Sequence, residues 1–321
     1  MHSTDLSRNA FLGIVPLLGL AAATATAGAQ ASPVVRVGAV PVDGFAEAYY
    51  ARDMGFFDKA GLNVDVTTFN NGSGATQAVA GGAIDIGIST VNSIANAVIH
   101  GIPYVYIAGG SMYVASAPSA VLAIAKDSAI KTPADFVGKT VAISAFKDGT
   151  HLAMAAYLTK NGIDPGKVNF IEMQYPLMAP AVARGTVAGA VLVEPFVTFA
   201  ANDVHVFAKP LDALAPEFLL AGWFTTTTWL NANRSTARKF VAAIYETARW
   251  ANANHVKSGE LLQKYSKVDD ATVAHMARSV YADRLDAGPA RFCPPRRRAP
   301  SSTYPRTACS GPAPRFQTPW S

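Results

Sequence analysis

Two stretches of this chain carry the same pattern 103 residues apart. Ala78-Val79-Ala80, Gly82, Ile84, Gly87 and Ile88 are answered by Ala181-Val182-Ala183, Gly185, Val187, Ala190 and Val191. Each stretch reads as a helix of small residues, a glycine turn and a buried strand. A helix–turn–strand unit used twice at this spacing implies two similar α/β lobes. Facing lobes of this kind leave a cleft at the carboxyl ends of their strands, where open α/β sheets bind ligands.

The residues around the two units agree with that class. "VVRVGAV" (34–40) reads as a strand, "FAEAYYARDMGFFDKAG" (45–61) as a helix with a glycine stop, and "NVDVTTF" (63–69) as an alternating strand. "YVYIAGG" follows the break at Pro103. In the second half "AVLAIA" (120–125) and "VNFIEMQ" read as strands, "TPADFVGKTVAIS" as a short helix start and a strand, and "DGTHLAMAAYLTKNGID" as a helix. Strand–helix alternation at this rhythm predicts mainly parallel pairing. Hydrophobic residues make up 50% of the chain and charged ones 15%, enough apolar material for a sizeable core.

The two ends read differently from the body. Arg8, the apolar run "AFLGIVPLLGLAAA" and the small residues "TATAGAQA" form a cleavable export signal over residues 1–29, with cleavage options at Ala27, Ala29 or Ala31. The apolar run is shorter than the ~20 residues that span a bilayer. No Cys lies near it, so a lipid-anchored mature end is not expected. Export predicts a soluble periplasmic protein. Residues 286–321 contain no Leu, Ile, Val or Met but hold eight of the 20 prolines and both cysteines, Cys293 and Cys309. Helical patterning runs through "ATVAHMARSVYADRL" (271–285) and then stops abruptly. That composition fits a disordered arm or a slipped reading frame, and the abruptness favours the slip. The chain has 27 Lys and Arg against 22 Asp and Glu; six Arg and one Asp lie in this tail, so the remainder is balanced at 21 of each. The basic net charge belongs to the tail, and no nucleic-acid partner is expected.

Several positions have the chemistry to hold a small polar solute. Gly72, Ser73 and Gly74 open a helix, where unpaired amides and the positive end of the dipole suit an anion. The same residues also suit a plain N-cap by Ser73. Ser89 and Thr90 end the next strand, where they either offer hydroxyls to the cleft or cap the next helix. In the second half Ser144 ends a strand and Asp148-Gly149-Thr150 opens a helix, so opposed helix starts would clamp an oxyanion from two sides. Tyr175 and Glu194 come from strand ends. Glu194 either accepts a ligand amine or bonds the hinge.

Enzyme signatures are missing from the sequence. There is no Walker A loop, no H-E-x-x-H and no G-x-S-x-G, and Gln77 stands where a dinucleotide fingerprint needs its third glycine. The six histidines show no metal spacing, and His151 reads as an ordinary helix residue. Neither a cofactor nor a metal is expected.

"VRVGAVP", "YYARDMGFFDKAGLNVDV", "NGSGATQAVAGGAIDIGIST", "KTPADFVGKTVAIS" and "ARGTVAGAVLVEPF", in this order from Val34 to Leu285, resemble the substrate-binding proteins of ABC importers. The resemblance is to the nitrate/sulfonate/taurine (SsuA/THI5-like, NMT1-like) family. It implies the type II periplasmic-binding-protein fold: two α/β lobes with a hinge and an interlobe ligand cleft. Residues 34–115 and 212–285 would form lobe 1 and residues 116–211 lobe 2. It implies ligand contacts after the first strand, at Asp43, Gly44 and Phe45, and places Trp223 near the returning crossover, as cleft wall or core. It also implies a monomer that closes on a small organic anion and delivers it to an ABC permease and its ATPase. The aromatic residues Phe45, Phe146, Tyr175 and Trp223 favour an organosulfonate. Two departures stand out: Ala188 replaces the acidic residue that matches Asp85, and the expected C-terminal helices have no counterpart after Leu285. The rival reading is an enzyme on the same fold, of dehydratase-like or pyrimidine-precursor type. The body lacks the cysteines the latter would need.

Overall fold

The computed structural model describes residues 33–284. The expected signal at 1–29 and the tail at 286–321, with its two cysteines, lie outside the described residues. The first strand, β1 (Val34–Ala39), turns Val35 and Val37 inward, as its alternation requires. The chain continues through α1 (Glu47–Asp53), α2 (Phe56–Lys59), β2 (Asn63–Thr68), α3 (Gly72–Ala80), β3 (Gly87–Thr90), α4 (Val91–Ile99), β4 (Tyr104–Gly109) and β5 (Ser111–Val114). The single helix expected over 45–61 is broken in two, because Gly55 at φ 73° ends the first set of turns and starts another.

The second half contains β6 (Ala120–Ala125), β7 (Thr140–Ile143), α5 (Gly149–Lys160), β8 (Asn169–Glu172), α6 (Tyr175–Ala183), β9 (Gly189–Val193), α7 (Phe196–Phe199) and β10 (Val204–Ala208). The chain then returns through β11 (Glu217–Leu219), β12 (Ala221–Thr226), α8 (Thr227–Ala232), α9 (Arg234–Ala253), α10 (His255–Ser266), α11 (Asp270–His275) and β13 (Val280–Tyr281).

Two sheets of the same design result. In the second half the order is β10-β6-β9-β7-β8, with β7 parallel to β8 and β9, and β6 antiparallel to β9 and β10. In the first half β2 pairs parallel with β1, a parallel bridge from Val37 to Ile86 joins β1 to the strand of β3, and β12 lies antiparallel between β3 and β4. Each sheet therefore has four strands running the same way and one antiparallel strand inserted before its edge. The strand inserted into the first sheet is β12, which returns only after the whole second half has been made. The connections out and back, β5 and β11, pair with each other, and β13 adds on the far side of β5.

The repeat read in the sequence is visible in the backbone. α3 and α6 begin at Gly72 and Tyr175 and end at Ala80 and Ala183. Both stop at a left-handed glycine, Gly82 at φ 70° and Gly185 at φ 71°. Both then close the same turn: Ala83 and Ile84 donate to Ala78 O, as Thr186 and Val187 donate to Ala181 O. Asp85 binds the backbone and guanidinium of Arg36 at 2.7–3.1 Å. In the second half Ala188 N donates to Thr140 O as Asp85 N does to Arg36 O, so Ala188 and Thr140 replace the acid and the base together.

The largest core cluster lies under α9, whose buried residues Ala237, Phe240, Ala243, Ile244, Thr247, Ala248 and Ala251 follow helical spacing. Phe240 stacks on Phe57 and meets Trp223 edge-on. The helix expected to run from 271 towards 285 ends at His275 instead. Beyond it Ser279 N donates to the Asp43 carboxylate at 2.5 Å, and Val280–Tyr281 pair with β5. A long-range strand partner and a buried acceptor outweigh the local helical preference. Among the described residues no helix is long and apolar enough to cross a membrane.

Candidate functional site

A cavity of about 50 Å³ lies where the carboxyl ends of the two sheets meet. Gly44 and Phe45 reach it from the turn after β1, Gly72 from the start of α3, and Ser89 and Thr90 from the end of β3. Asp148, Gly149 and Thr150 reach it from the start of α5, Tyr175 from the start of α6, and Glu194 from the end of β9. Ser119, Ala120, Ala153, Val191, Val193, Leu211 and Leu220 complete walls that are largely apolar. Chain elements from both halves cross its rim. Asn71 Nδ2 donates to Ser144 O at 2.8 Å and Asn92 Nδ2 donates to Lys147 O at 2.9 Å.

The first-half wall is built to meet an acceptor. Ser89 is fully buried, and its Oγ has no partner among the described residues. It lies against Gly72, where an added Cβ would sit 2.6 Å from Ser89 Oγ and 3.0 Å from Ser89 Cα. Only glycine allows this approach of β3 to α3. The first amides of α3 have no intrahelical acceptor. Asn71 Oδ1 takes the Gly74 amide at 2.9 Å, which leaves the amides of Gly72 and Ser73 for something else. The cap is uncharged, so the positive end of α3 is not neutralised locally.

The second-half wall is acidic. Asp148 caps α5 through His151 N at 3.0 Å and accepts from Thr150 Oγ1 at 2.7 Å and from Ser144 Oγ. Burial raises its carboxyl above the usual range in spite of these donors. Glu194 accepts from Thr198 Oγ1 at 2.9 Å, Thr198 N at 3.2 Å and Ala277 N at 3.3 Å. Burial pushes it up to about 7. Among the described residues no Lys or Arg lines the cavity.

The positions singled out in the sequence divide accordingly. Gly44, Phe45, Gly72, Ser89, Thr90, Asp148, Gly149, Thr150, Tyr175 and Glu194 come together around the cavity. Five others do not line it. Asp43 is fully buried and holds the Arg278 guanidinium at 2.8 Å. Ser73 and Gly74 lie on the first turn of α3, half-buried, and the cap there is Asn71 rather than Ser73. Ser144 directs its hydroxyl to Asp148 and its carbonyl to Asn71. Trp223 is core, and its Nε1 donates to Glu47 Oε2 at 2.8 Å.

The opposed pair of helix starts is also altered. The start of α5 already carries its own buried carboxylate, which takes the place an anion would occupy. Tyr175 is the first residue of α6 rather than a strand end. Sequence reasoning missed Ser119, Leu211 and Leu220, which sit beside the crossover where no local pattern marks them. Among the described residues no cluster of His, Cys, Asp or Glu could hold a metal.

Comparison with known proteins gives one family and one fold. The family model described as "NMT1/THI5 like" matches residues 43–257. The taurine-binding periplasmic protein of Escherichia coli (strain K12) is 30% identical over 155 residues, 48% of this chain and 46% of that protein. The match spans about half the length of that relative. The alkanesulfonate-binding protein SsuA from Xanthomonas axonopodis pv. citri bound to MOPS superposes with a TM-score of 0.67 at 16% identity, over 78% of this chain and 87% of that one. The periplasmic nitrate-binding protein NrtA from Synechocystis PCC 6803 gives a TM-score of 0.66 at 15% identity, over 75% of this chain and 69% of that one. These structural likenesses place the chain in the periplasmic-binding-protein fold.

Proposed function

The chain belongs to the NMT1/THI5-like family, and from that premise we propose that it is the extracytoplasmic solute-binding component of an ABC importer. In this reading it is an exported monomer whose lobes, 34–115 with 212–285 and 116–211, close on a small organic anion and deliver it to a permease and its ATPase. It acts by capture, not by catalysis. The observation that carries the reading is the unpartnered, fully buried Ser89 hydroxyl against Gly72 at the positive end of α3. A buried donor without an acceptor costs free energy, which a bound oxyanion would recover.

The opposite wall refines the solute. Burial disfavours the charged forms of Asp148 and Glu194, and an ammonium at that end of the cavity would favour them where a plain anion would not. A solute with an oxyanion at one end and an ammonium at the other fits both walls. Among the candidates an aminoalkanesulfonate such as taurine is therefore favoured over nitrate. The relative that binds taurine supports the same choice.

A thermal-shift screen of taurine, alkanesulfonates, nitrate, aromatic carboxylates and thiamine precursors tests this. A ligand at a hundredfold excess over its dissociation constant adds about 2.7 kcal/mol to native stability. Taurine is expected to give the larger shift and nitrate little. For the responding ligand, Ser89→Ala is expected to weaken binding by about 1.5–3 kcal/mol in calorimetry, the range for a hydrogen bond to a charged group. Unchanged affinity in Ser89→Ala would move the site elsewhere.

A further inference from the structure

In the turn that leads into α5, each backbone amide goes to a different acceptor. Phe146 N donates to Glu172 Oε1 at 2.7 Å, Lys147 N to His151 Nδ1 at 2.9 Å, and Asp148 N to Ala145 O at 3.4 Å. Lys147 O accepts from Asn92 Nδ2 of the first half at 2.9 Å. Two residues on, a Cβ at Gly149 would sit 2.8 Å from Thr90 Cγ2, so the same turn carries the close approach of the two halves. Lysine does not adopt this turn freely, since Lys147 has φ 62°, in the left-handed region. The shape of the turn therefore depends on the acceptors its amides reach.

His151 reads in the sequence as an ordinary helix residue, but its place in the fold gives it a task. It is the third residue of α5, where a side chain can reach back to an amide before the helix. A backbone N–H only donates, so Nδ1 offers its lone pair and the neutral ring keeps its proton on Nε2. A protonated imidazole has donors on both nitrogens, and Nδ1–H would then face Lys147 N–H. Imidazole is the acceptor in this turn whose ordinary titration falls between pH 5 and 8. The ring is half-buried, edge-on to Phe146 at 5.4 Å and to Phe170 at 4.9 Å. Burial holds it below its ordinary 6.5, and the Asp148 carboxylate opposes that shift only in part. Lys147 is a like charge on the same turn, and Glu172 of β8 is engaged with Phe146 N. α4, which packs on α5 from the first half, carries no charged residue. Along the rest of α5, Asp164 takes Gly166 N at 2.9 Å beside Lys167, and Asp212 accepts from Tyr113 OH at 2.5 Å.

We propose that His151 is a positioning residue for closure: its neutral ring holds the turn that the first half grips through Asn92 and Thr90, and protonation releases that turn. The inference rests on the reading that the two halves close on a solute. A proton taken from solvent at Nδ1 removes the acceptor of Lys147 N–H, and Lys147 O then leaves its place opposite Asn92. The closed arrangement keeps the ring neutral, whereas a released ring titrates near 6.5. Closure is therefore fully supported above about 6.5 and weakens as pH falls below it, by up to about tenfold per pH unit. A solute held at neutral pH would be released in acid.

Small-angle scattering of the ligand-free full chain at pH 7.5 and 5.5 tests this without any solute. The radius of gyration is expected to be larger at the lower pH. His151→Asn keeps an oxygen acceptor near the place of Nδ1 but does not titrate, so it should stay compact at both values. His151→Ala has no acceptor and should be expanded at both. In calorimetry the taurine affinity of the wild type should fall by up to about tenfold more between the two pH values than that of His151→Asn, which carries the same buried acids. Nitrogen-15 spectra should show Nδ1 of His151 unprotonated at pH 7.5. A protonated Nδ1 at that pH would overturn the proposal, as would the same scattering and the same pH profile in wild type and His151→Asn. If taurine does not bind, the scattering and the ring-nitrogen signals still decide the role of His151, so failure of either reading is visible without the other.

Discussion

At the scale of single residues, the packing distances separate two glycines that look alike in the sequence. A Cβ at Gly72 would meet both the hydroxyl and the backbone of Ser89, and backbone cannot step aside as a side chain does. Gly72→Ala is expected to cost about 1–3 kcal/mol, the range for overpacking, and to abolish solute binding. Gly74 has open space by comparison, its nearest neighbour being Phe69 at 3.4 Å. Gly74→Ala should be neutral or stabilise by about 0.5–1 kcal/mol through helix preference. Urea unfolding of the two variants checks both, and equal effects would refute the close approach of β3 to α3. Buried acids make a second prediction. Burial raises Glu47 from 4.5 to about 8 and Glu194 from 4.5 to about 7. Between those values the folded chain holds protons that the unfolded chain has released, so the contribution of these two groups to stability is fully present below about 4.5 and is lost as pH rises towards 8. The limiting slope is about 1.4 kcal/mol per pH unit for each carboxyl. Glu47→Gln can still accept from Trp223 and should flatten the fall measured by urea unfolding between pH 6 and 8. An unchanged slope would mean that Glu47 ionises freely.

At the scale of elements, the segment from α11 to β13 does more than end the fold. Arg278 donates to Asp43 Oδ1 through Nε at 3.0 Å and through a terminal nitrogen at 2.8 Å, and Tyr281 OH donates to Asp43 O. The turn carrying Gly44 and Phe45 into the cavity is thereby fixed from a segment 235 residues away. Removing the base would leave Asp43 buried and unpaired, which typically costs about 3–5 kcal/mol. Arg278→Ala is expected to lose that much in urea unfolding, and Asp43→Asn on the same background to recover part of it. The sequence made α3, α6 and the strands after them readable, because small-residue helices, glycine stops and β-rich runs are local patterns. It misled over 271–285, where a helical pattern lies on a segment that tertiary partners draw into a strand. It misled again over 45–61, which reads as one helix but breaks at Gly55, whose left-handed backbone starts a second one.

At the scale of the whole molecule, the two halves meet across the cavity rim through side-chain amides. Asn71 and Asn92 each donate to a carbonyl of the other half. Asn71 also caps α3, so Asn71→Ser is the cleaner change: serine keeps the cap but is too short to reach Ser144. Combined with Asn92→Ala it removes two hydrogen bonds of about 0.5–1.5 kcal/mol each, which disfavours the closed arrangement by their sum. Small-angle scattering of the ligand-free double variant should show a larger radius of gyration, and solute affinity should fall in proportion to the closed fraction. Unchanged scattering and affinity would mean that other contacts hold the halves together. The sequence by itself determined the α/β class, the doubled helix–turn–strand unit and the set of glycines and hydroxyls at its ends, since all of these rest on neighbours a few residues apart. Tertiary structure alone decided that β12 enters the first sheet, that Asp43 and Trp223 serve the core, and that one cavity wall is acidic. Those outcomes depend on which distant groups share a buried, low-dielectric space, where an unpaired charge or donor is costly and any partner within reach is taken.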